Sequence, residues 1–388
     1  MDKKIPYGRQ EISKEDIDLV VSTLKSDFLT QGPRVVEFEN AFASQVKAEY
    51  ALSCSNGTAA LHLAMMALDL KPGEKVLTTS ITFAASANCV LYQGGVVEFI
   101  DISLDDYLLD LDLLERHLSG SDDKYAGIIV VDFAGFPVDL ERLRKIADQY
   151  GMWIVEDACH APGASFTDSK GEVQPVGGSR YADLTLFSFH PVKHIACGEG
   201  GMITTHRNDL FKRLEMLRSH GITKNKKDLL NQSMPAWFHE MQELGYNYRI
   251  SDIQAALGLS QLTKLESSVR RRNEIAKIYL KELASLPLVL PNIPDEIVHA
   301  LHLFVVRTSR RDELYSYLSS KGIFTQVHYI PVYLHPYYSK KGYEKGLCPV
   351  AEEYFDGCLS LPMYPSMSSE DISYVVKVIV EFFSEVDD

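Results

Sequence analysis

The sequence has no long uninterrupted apolar run, and this absence excludes a membrane-spanning protein. Among its 388 residues, no apolar stretch approaches the length that a transmembrane helix needs. The first residues, Met1–Pro6, also lack the apolar segment of a secretory signal peptide. We therefore expect a cytoplasmic protein with no membrane partner.

Paired cysteine motifs are also missing. None of the six cysteines forms a C-x-x-C pair, and most lie in apolar segments. They are Cys54, Cys89, Cys159, Cys197, Cys348 and Cys358. This pattern predicts buried thiols in a reducing compartment, with neither a disulfide framework nor a metal site.

Basic residues are fewer than acidic ones, 39 against 53, and the formal net charge is −14. A strongly negative chain repels nucleic acid and anionic membranes, so we expect no nucleic-acid partner. A phosphorylated substrate would have to be held by local donors against this overall charge. The remaining composition, 46% hydrophobic and 24% charged, is typical of a globular enzyme.

Short apolar or β-branched runs alternate with helical patterns along the first two thirds of the chain. The predicted strands are Ala51–Cys54, Lys75–Thr79, Val96–Ile100, Gly127–Val131, Met152–Glu156, Asp183–Ser188 and Met202–Thr205. The predicted helices between them include Thr58–Leu68, Leu140–Tyr150 and Asn208–Ser219. This alternation predicts an α/β fold with a mostly parallel central sheet, whose ligand lies at the carboxyl ends of the strands.

The last third of the chain has a different pattern, which predicts a second, smaller α+β domain. We expect a large domain over residues 1–265 and a connector helix with a small domain over residues 266–388. One long helical stretch is predicted from Ser251 to about Leu283. The elements predicted after it are strand His302–Arg307, helix Glu313–Lys321, strand Thr325–His328 and a closing helix from Ser369.

Candidate site residues cluster at the predicted strand ends, and the first group is Ser55–Ala60. Gly57 allows close backbone approach, Ser55 and Thr58 carry hydroxyls, and Asn56 lies where a helix begins. The free N–H groups of a helix N-terminus make a seat for phosphate. An ordinary helix N-cap is the alternative interpretation.

An aromatic residue and an acid pair follow two other strands. Phe83 can stack on a flat ring, although packing in the core is an alternative use. Asp157, preceded by Glu156, can pair with a protonated pyridine nitrogen, or it can cap a following helix. His160 can hydrogen-bond a ring oxygen or stack on the same ring.

The last group is Ser188–Lys193, followed by the glycine-rich run Gly198–Gly201. Ser188 offers another phosphate hydroxyl, and His190 is either a ligand contact or a structural histidine. Lys193 lies in a short connection between two buried strands, where lost solvation favours the neutral, nucleophilic amine. Together these groups describe a pyridoxal phosphate site, in which Lys193 bonds to the cofactor aldehyde and later moves a proton.

These motifs resemble those of the DegT/DnrJ/StrS-type sugar aminotransferases, which are enzymes of pyridoxal phosphate fold type I. The resemblance covers nearly the whole chain and implies a large α/β/α domain with a smaller C-terminal α+β domain. It also implies pyridoxamine phosphate during turnover. The stretches that carry it are Ile5–Gly8, Phe28–Pro33, Ser53–Leu61, Glu156–Ala158, Ser188–Lys193, Gly198–Gly201 and Gly245–Arg249. Where many relatives carry glutamine, this chain has His160.

Within that family the chain looks most like the 4-aminotransferases of pseudaminic acid biosynthesis. Three stretches carry this closer likeness: Leu217–Gly221, Ser251–Leu262, and Gln326–Tyr329 with Pro331–Tyr333. The implied reaction moves the amino group of L-glutamate to C4 of a UDP-linked 4-keto-6-deoxy-N-acetylhexosamine, giving UDP-4-amino-4,6-dideoxy-N-acetyl-β-L-altrosamine and 2-oxoglutarate. The same chemistry on a GDP-perosamine, bacillosamine or legionaminic precursor, or a non-catalytic regulator on this fold, remains an alternative.

The resemblance further implies a homodimer with shared active sites. Asn247 is then expected to reach the cofactor phosphate of the neighbouring subunit. The residues expected to bind the sugar nucleotide are Tyr7, Asp27, Phe28, Leu29, Thr30, His190, Gln326, Val327, His328 and Tyr329.

Overall fold

A computed structural model describes residues 4–178, 180–294 and 296–384, so the first three residues of the N-terminal segment lie outside it. Its strands are β1 Tyr50–Cys54, β2 Lys75–Thr79, β3 Val96–Ile100, β4 Tyr125–Val131, β5 Trp153–Asp157, β6 Ser165–Thr167, β7 Val173–Pro175, β8 Leu184–Ser188, β9 Gly201–Thr205, β10 Ile222–Thr223, β11 Glu240–Met241, β12 Phe304–Arg307 and β13 Cys358–Leu361. Its α-helices are α1 Lys14–Leu24, α2 Pro33–Val46, α3 Gly57–Ala67, α4 Ala85–Tyr92, α5 Leu111–Ser119, α6 Leu140–Tyr150, α7 Asn208–Arg218, α8 Asp252–Leu262, α9 Leu265–Glu282, α10 Arg311–Ser320, α11 Pro336–Ser339, α12 Pro349–Gly357 and α13 Ser369–Ser384.

A seven-stranded sheet with the order β1-β9-β8-β5-β4-β2-β3 forms the centre of the large unit. Neighbours from β8 to β3 pair in parallel, whereas β9 is antiparallel to both of its neighbours. These strands consist mainly of apolar and β-branched residues, and few of their positions are exposed. Both faces of the sheet are therefore buried, as is usual for parallel strands. The prediction of an α/β fold with a mostly parallel sheet is confirmed, and each of the seven predicted strands occurs with its ends shifted by at most two residues.

The helices on the sheet begin and end where local capping groups allow. In α6, the Asp139 side chain accepts a hydrogen bond from the Arg142 N–H at 2.9 Å, and the helix ends at Gly151 in the left-handed conformation. The predicted bounds of α6 are confirmed, and those of α3 and α7 are confirmed to within one residue.

The C-terminal part differs from the predicted pattern in two places. The predicted single helix from Ser251 to Leu283 is wrong, because α8 ends where the N–H groups of Thr263 and Lys264 turn back to carbonyls three residues earlier. The predicted strand Thr325–His328 is also wrong. Only Gln326 pairs, through an isolated bridge to Ser360 at the edge of the antiparallel pair β12–β13. The division of the chain at residue 265 stays a prediction.

The connection between β8 and β9 leaves and re-enters the sheet at the same end, which is the carboxyl end of β8. Its two ends are joined, since the Phe189 N–H donates to the Gly200 carbonyl at 2.8 Å and the Cys197 N–H donates to Phe189 at 2.9 Å. In β9, Gly201 lies between Ser188 of β8 and Cys54 of β1. A Cβ at this position would meet the Asn56 carbonyl oxygen at 2.6 Å.

All six cysteines are free thiols; five are buried and Cys159 is half-buried. Burial raises their pKa, so the thiol form dominates at neutral pH. No helix of the described chain has both the length and the apolar content needed to cross a bilayer.

Candidate active site

A cavity of about 940 Å³ opens where the parallel strands β5 and β8 end and helix α3 begins. Fourteen of the residues predicted from the sequence line it. They are Tyr7, Asn56, Gly57, Thr58, Phe83, Asp157, His160, Ser188, His190, Lys193, Gln326, Val327, His328 and Tyr329. A cavity of ligand size therefore lies at the carboxyl ends of the strands, where the sequence predicts a site.

The N-terminus of α3 forms one wall of this cavity. Asn56 is the N-cap, and its side-chain oxygen accepts from the Ala59 N–H at 2.8 Å, so the capping interpretation is correct for this residue. The N–H groups of the first helical turn have no partner within the helix and carry its positive dipole end. A Cβ on Gly57 would lie 3.0 Å from the Ser188 Cβ and 3.4 Å from the Cys159 sulfur, so a side chain there would crowd both of these residues.

Asp157 and Glu156 point to opposite faces of the sheet, because successive side chains alternate along β5. Asp157 lines the cavity, whereas Glu156 is fully buried and does not. The Asp157 carboxylate accepts from the Ser86 hydroxyl at 2.6 Å and from the Cys159 N–H at 3.2 Å. The next described element is strand β6, so Asp157 caps a turn and not a helix.

Lys193 lines the same cavity from the connection between β8 and β9. Burial lowers the pKa of its amine, and the nearby Cys159 and Asp157 oppose that shift. A lowered amine pKa raises the fraction of neutral, nucleophilic lysine at neutral pH.

His160 and Tyr329 form a hydrogen-bonded pair beside the lysine. The Ala134 N–H donates to His160 Nδ1 at 3.3 Å, and burial followed by the Lys193 charge lowers the pKa of His160 well below its usual value. A neutral imidazole that accepts at Nδ1 carries its proton on Nε2, which lies 3.2 Å from the Tyr329 hydroxyl oxygen. His160 therefore donates to Tyr329 and leaves the phenol proton available to another acceptor.

Other imidazoles near the lysine are neutral for the same reason. Burial lowers the pKa of His194 and His302 well below the usual value, and that of His328 to about 3. The His302 and His160 rings lie 4.4 Å apart between centroids. The cationic groups that lower the pKa of these imidazoles further are Lys193 and Arg272.

Aromatic residues form the wall opposite α3. The Tyr7 and His328 rings lie 5.4 Å apart, and His328 Nδ1 lies 2.8 Å from the Ser360 hydroxyl. Phe83 is 61% exposed with its ring 6.2 Å from that of Tyr329, so the alternative that it packs in the core is wrong.

Six predicted residues do not line the cavity of the single chain: Ser55, Asp27, Phe28, Leu29, Thr30 and Asn247. The Ser55 N–H donates to the Tyr248 carbonyl at 2.8 Å, beside the cavity wall. The Leu29 carbonyl accepts from the Asp252 N–H at 3.0 Å, which holds the predicted substrate segment next to α8. Asn247 is exposed.

Several cavity residues were not predicted, notably Glu199, Tyr248 and His302. Tyr248 hydrogen-bonds His62 across 3.1 Å, and it falls inside Gly245–Arg249, a stretch that carried the family resemblance without a role for this tyrosine. The sequence predicts His302 only as the first residue of a strand. Its position as a polar residue at the start of an apolar run is the feature that could have indicated a site residue.

Comparison with known proteins gives consistent matches along the chain. The sequence model of the DegT/DnrJ/EryC1/StrS aminotransferase family matches residues 10–380. The UDP-4-amino-4,6-dideoxy-N-acetyl-β-L-altrosamine transaminase of Campylobacter jejuni is 37% identical over 389 residues, which is 98% of each protein.

Two solved structures have nearly the same fold. Spr1654 of Streptococcus pneumoniae, provisionally assigned as a sugar aminotransferase, is 27% identical in its PLP form, with a TM-score of 0.89 over 99% of this chain and 100% of the other. It has also been solved in a PMP form. Helicobacter pylori PseC, an aminotransferase involved in the biosynthesis of pseudoaminic acid, is 27% identical, with a TM-score of 0.88 over 99% of this chain and 100% of the other.

Proposed function

This chain belongs to the DegT/DnrJ/EryC1/StrS aminotransferase family, and on that premise we propose that it is a pyridoxal-phosphate-dependent nucleotide-sugar 4-aminotransferase. The proposed reaction moves the amino group of L-glutamate to C4 of a UDP-linked 4-keto-6-deoxy-N-acetylhexosamine. The observation that carries this proposal is the lining of one cavity by Lys193, Asp157 and the N-terminus of α3.

The residues present fit the cofactor in three respects. The helix N-terminus with Asn56, Gly57, Thr58 and Ser188 offers donors for a phosphate. Asp157 offers a buried carboxylate that two donors already orient. Lys193 offers an amine whose pKa is lowered by burial.

When bound, pyridoxal phosphate supplies an electron sink for the electrons released at the donor's Cα. We assign to Asp157 the pairing with the protonated ring nitrogen, which maintains the charge of that sink. Lys193 would hold the cofactor covalently, and its free amine would act as the base that moves the proton. Phe83 and His160 would contact the cofactor ring, and Ser55 would contribute through the loop that leads into α3.

The choice of sugar rests on the relatives and on the wall opposite α3. A C. jejuni transaminase named for the altrosamine product matches 98% of the chain, and PseC shares the fold. Tyr7, His190 and Gln326–Tyr329 form the proposed sugar-nucleotide surface, because all of them line the cavity. A GDP-linked keto-sugar or an epimeric UDP-sugar remains the second candidate.

The test is a panel of keto-sugar nucleotides with L-glutamate, measured by the appearance of 2-oxoglutarate and of the amino sugar. We expect amination of the UDP-linked 4-keto-6-deoxy-N-acetylhexosamine. Activity only on a GDP-linked sugar would refute the substrate assignment. A protein loaded with cofactor that aminates no member of the panel would refute the enzymatic proposal and favour a regulator.

We further propose a homodimer whose subunits complete each other's sites. Phe28 and Leu29 are 53% and 48% exposed in the single chain, beside the predicted substrate residues Asp27 and Thr30. Asn247 is exposed as well. Burial of these apolar side chains against a second copy would explain why the sequence places them outside the core.

Complementation tests that arrangement. Lys193→Ala and Asn247→Asp proteins are each expected to be impaired, because the introduced carboxylate repels a phosphate. Mixed after reversible unfolding, they should regain activity, since one site of each hybrid dimer contains Lys193 and an asparagine from the second copy. A mixture as inactive as its components, with hybrid dimers verified by mass, would contradict shared sites.

A further inference from the structure

Two carboxyl groups that have no role in the proposed mechanism lie behind Asp157. Asp132 follows the end of β4, and Glu156 lies in β5 directly before Asp157. The side chains of Asp132 and Glu156 are both 0% exposed. Burying even one ionised carboxylate without a compensating charge is costly, so a buried pair requires an explanation.

Donors satisfy only one oxygen of each group. The Val138 N–H donates to Asp132 Oδ1 at 2.9 Å, and the Thr185 hydroxyl donates to Glu156 Oε2 at 2.6 Å. Asp132 Oδ2 and Glu156 Oε1 are buried and have no donor. Val130 pairs with Glu156 in the register of β4 and β5, so Asp132, two residues after Val130, lies on the same face of the sheet as Glu156. Each carboxyl influences the pKa of the other, which indicates that they are in contact. Two carboxylates contain no donor hydrogen, so this contact requires a proton.

We propose that Asp132 and Glu156 share one proton at neutral pH and act as positioning residues for Asp157. Their role toward the cofactor rests on the proposed function, whereas the shared proton does not. With one proton, the three acids carry two negative charges and not three.

The backbone connects this pair to the site. The Asp132 N–H donates to the Asp157 carbonyl at 3.1 Å, and Val131 pairs with Asp157 in the register of β4 and β5. The Asp132–Glu156 contact therefore ties the two strands together one residue from the Asp157 carboxylate. Loss of the proton would place two like charges in that contact and strain the carboxyl end of β5.

The surroundings favour the protonated form. Burial raises the pKa of both carboxyls, and the Asp157 charge raises it further. The N–H of Val138 lowers the pKa of Asp132, and the Thr185 hydroxyl, Asp132 and the Gly177 N–H lower that of Glu156. Lys193 is the cation that interacts with Asp157. An acid with a raised pKa in the folded state stabilises the fold below its unfolded pKa, and that contribution is lost as pH rises through the folded pKa.

Infrared spectroscopy tests the proton directly, on protein with and without cofactor. We expect the C=O stretch of a protonated carboxyl at neutral pH, and its disappearance in both Glu156→Gln and Asp132→Asn. The amide of either variant can donate to the remaining carboxylate, so both should fold. The matched control is Glu172→Gln, which changes an exposed acid and should keep the band. A wild-type spectrum without this band at neutral pH would overturn the proposal.

Unfolding as a function of pH gives a second readout. Between the pKa of the unfolded acid and that of the folded pair, the folded protein keeps one proton that the unfolded protein has lost. The folding equilibrium constant therefore falls by about tenfold per pH unit in this range. Glu156→Gln should remove that one-proton slope, and Glu172→Gln should retain it. A Glu156→Gln protein with the wild-type slope would also overturn the proposal.

The pH profile of transamination then tests the positioning role. The wild type should lose rate at alkaline pH as the pair ionises, and Glu156→Gln should extend the plateau. If the infrared band and the unfolding slope behave as expected but the profiles coincide, the shared proton stands and the positioning role is wrong. If no transamination occurs at all, the proposed function fails while the two structural readouts remain interpretable.

Discussion

The two walls of the cavity are built differently. The wall from the sheet consists of strand ends and one helix N-terminus, and its polar groups are held by several hydrogen bonds, as Asp157 is by Ser86 and Cys159. The opposite wall consists of Tyr7 and the irregular segment Gln326–Tyr329, whose backbone pairs with β13 at Gln326 and whose His328 side chain hydrogen-bonds Ser360 of the same strand. Its histidine is neutral, because burial lowers the pKa of His328 to about 3.

This contrast indicates a division of work. Charged, oriented groups on the sheet side suit bond-making steps, since fixed dipoles and charges need no reorganisation during reaction. A neutral aromatic surface on a loop suits recognition of a sugar nucleotide, because it can change without altering the sheet. Sheet-side variants should therefore lower kcat, whereas loop-side variants should raise the KM for the sugar nucleotide.

The largest effect is expected from Lys193→Ala, because it removes the proposed covalent anchor and the proposed proton carrier together. We expect kcat to fall by at least about 10³-fold, within the range for loss of a general base. Stopped-flow rates with glutamate give the measurement, and Lys340→Ala, an exposed lysine, is the control. A variant that keeps the wild-type rate would exclude this lysine from the reaction.

Asp157→Asn should have the next largest effect. The amide keeps the size of the side chain but cannot neutralise a ring cation, so we expect kcat to fall by about 10²-fold with little change in KM. The control is Asp122→Asn, which changes an exposed acid on the connection between α5 and β4. An equal fall in the control, or a rise in KM alone, would break the proposed contrast between the walls.

The pH dependence of stability tests the neutrality of the loop-side wall. A histidine whose pKa is lowered from 6.5 to about 3 stabilises the fold above 6.5, and this contribution is lost as pH falls toward 3. At pH 5, His328 should account for about 2 kcal/mol of the lost free energy of unfolding, at roughly 1.4 kcal/mol per pH unit. His328→Gln should flatten the acid limb of the unfolding curve by one proton, and exposed His239→Gln should not.

Gln326→Ala should have the smallest effect. Loss of one ligand hydrogen bond costs about 1 kcal/mol, so the KM for the sugar nucleotide should rise by about fivefold while kcat stays constant. Steady-state kinetics at saturating glutamate separate the two constants. If kcat fell as far as in Asp157→Asn, the loop-side wall would contribute to the chemical step and not only to binding.

The same contrast explains which features could be predicted from the sequence. Strands such as β2 and β5 are short apolar runs whose polar residues begin where the strand ends, so both the strand and its site residue are visible. The segment Thr325–His328 contains two β-branched residues, Thr325 and Val327, but its pairing depends on Ser360, a residue 34 positions after Gln326. Likewise, the break between α8 and α9 depends on two backbone turns at Thr263 and Lys264. The spacing of apolar residues along the sequence does not reveal these turns.

Side-chain direction was only partly predictable. Strand alternation explains why Asp157 and Glu156 face opposite sides, but which of them faces the cavity depends on the register of β5 within the sheet. Phe83 is a second residue whose side-chain direction could not be predicted from the sequence. Its apolar chemistry favours the core, and only the three-dimensional position of the loop after β2 leaves it exposed.

Gly201 joins two parts of the site that are far apart in sequence. Ser188, which leads into the lysine connection, pairs with it on one side, and Cys54, which leads into the helix seat, pairs with it on the other. A single bare residue thus sets the lateral spacing between the lysine and the donors of α3. A methyl group there would press on the Asn56 carbonyl, so even the smallest substitution would displace the start of α3 and alter its distance from Lys193.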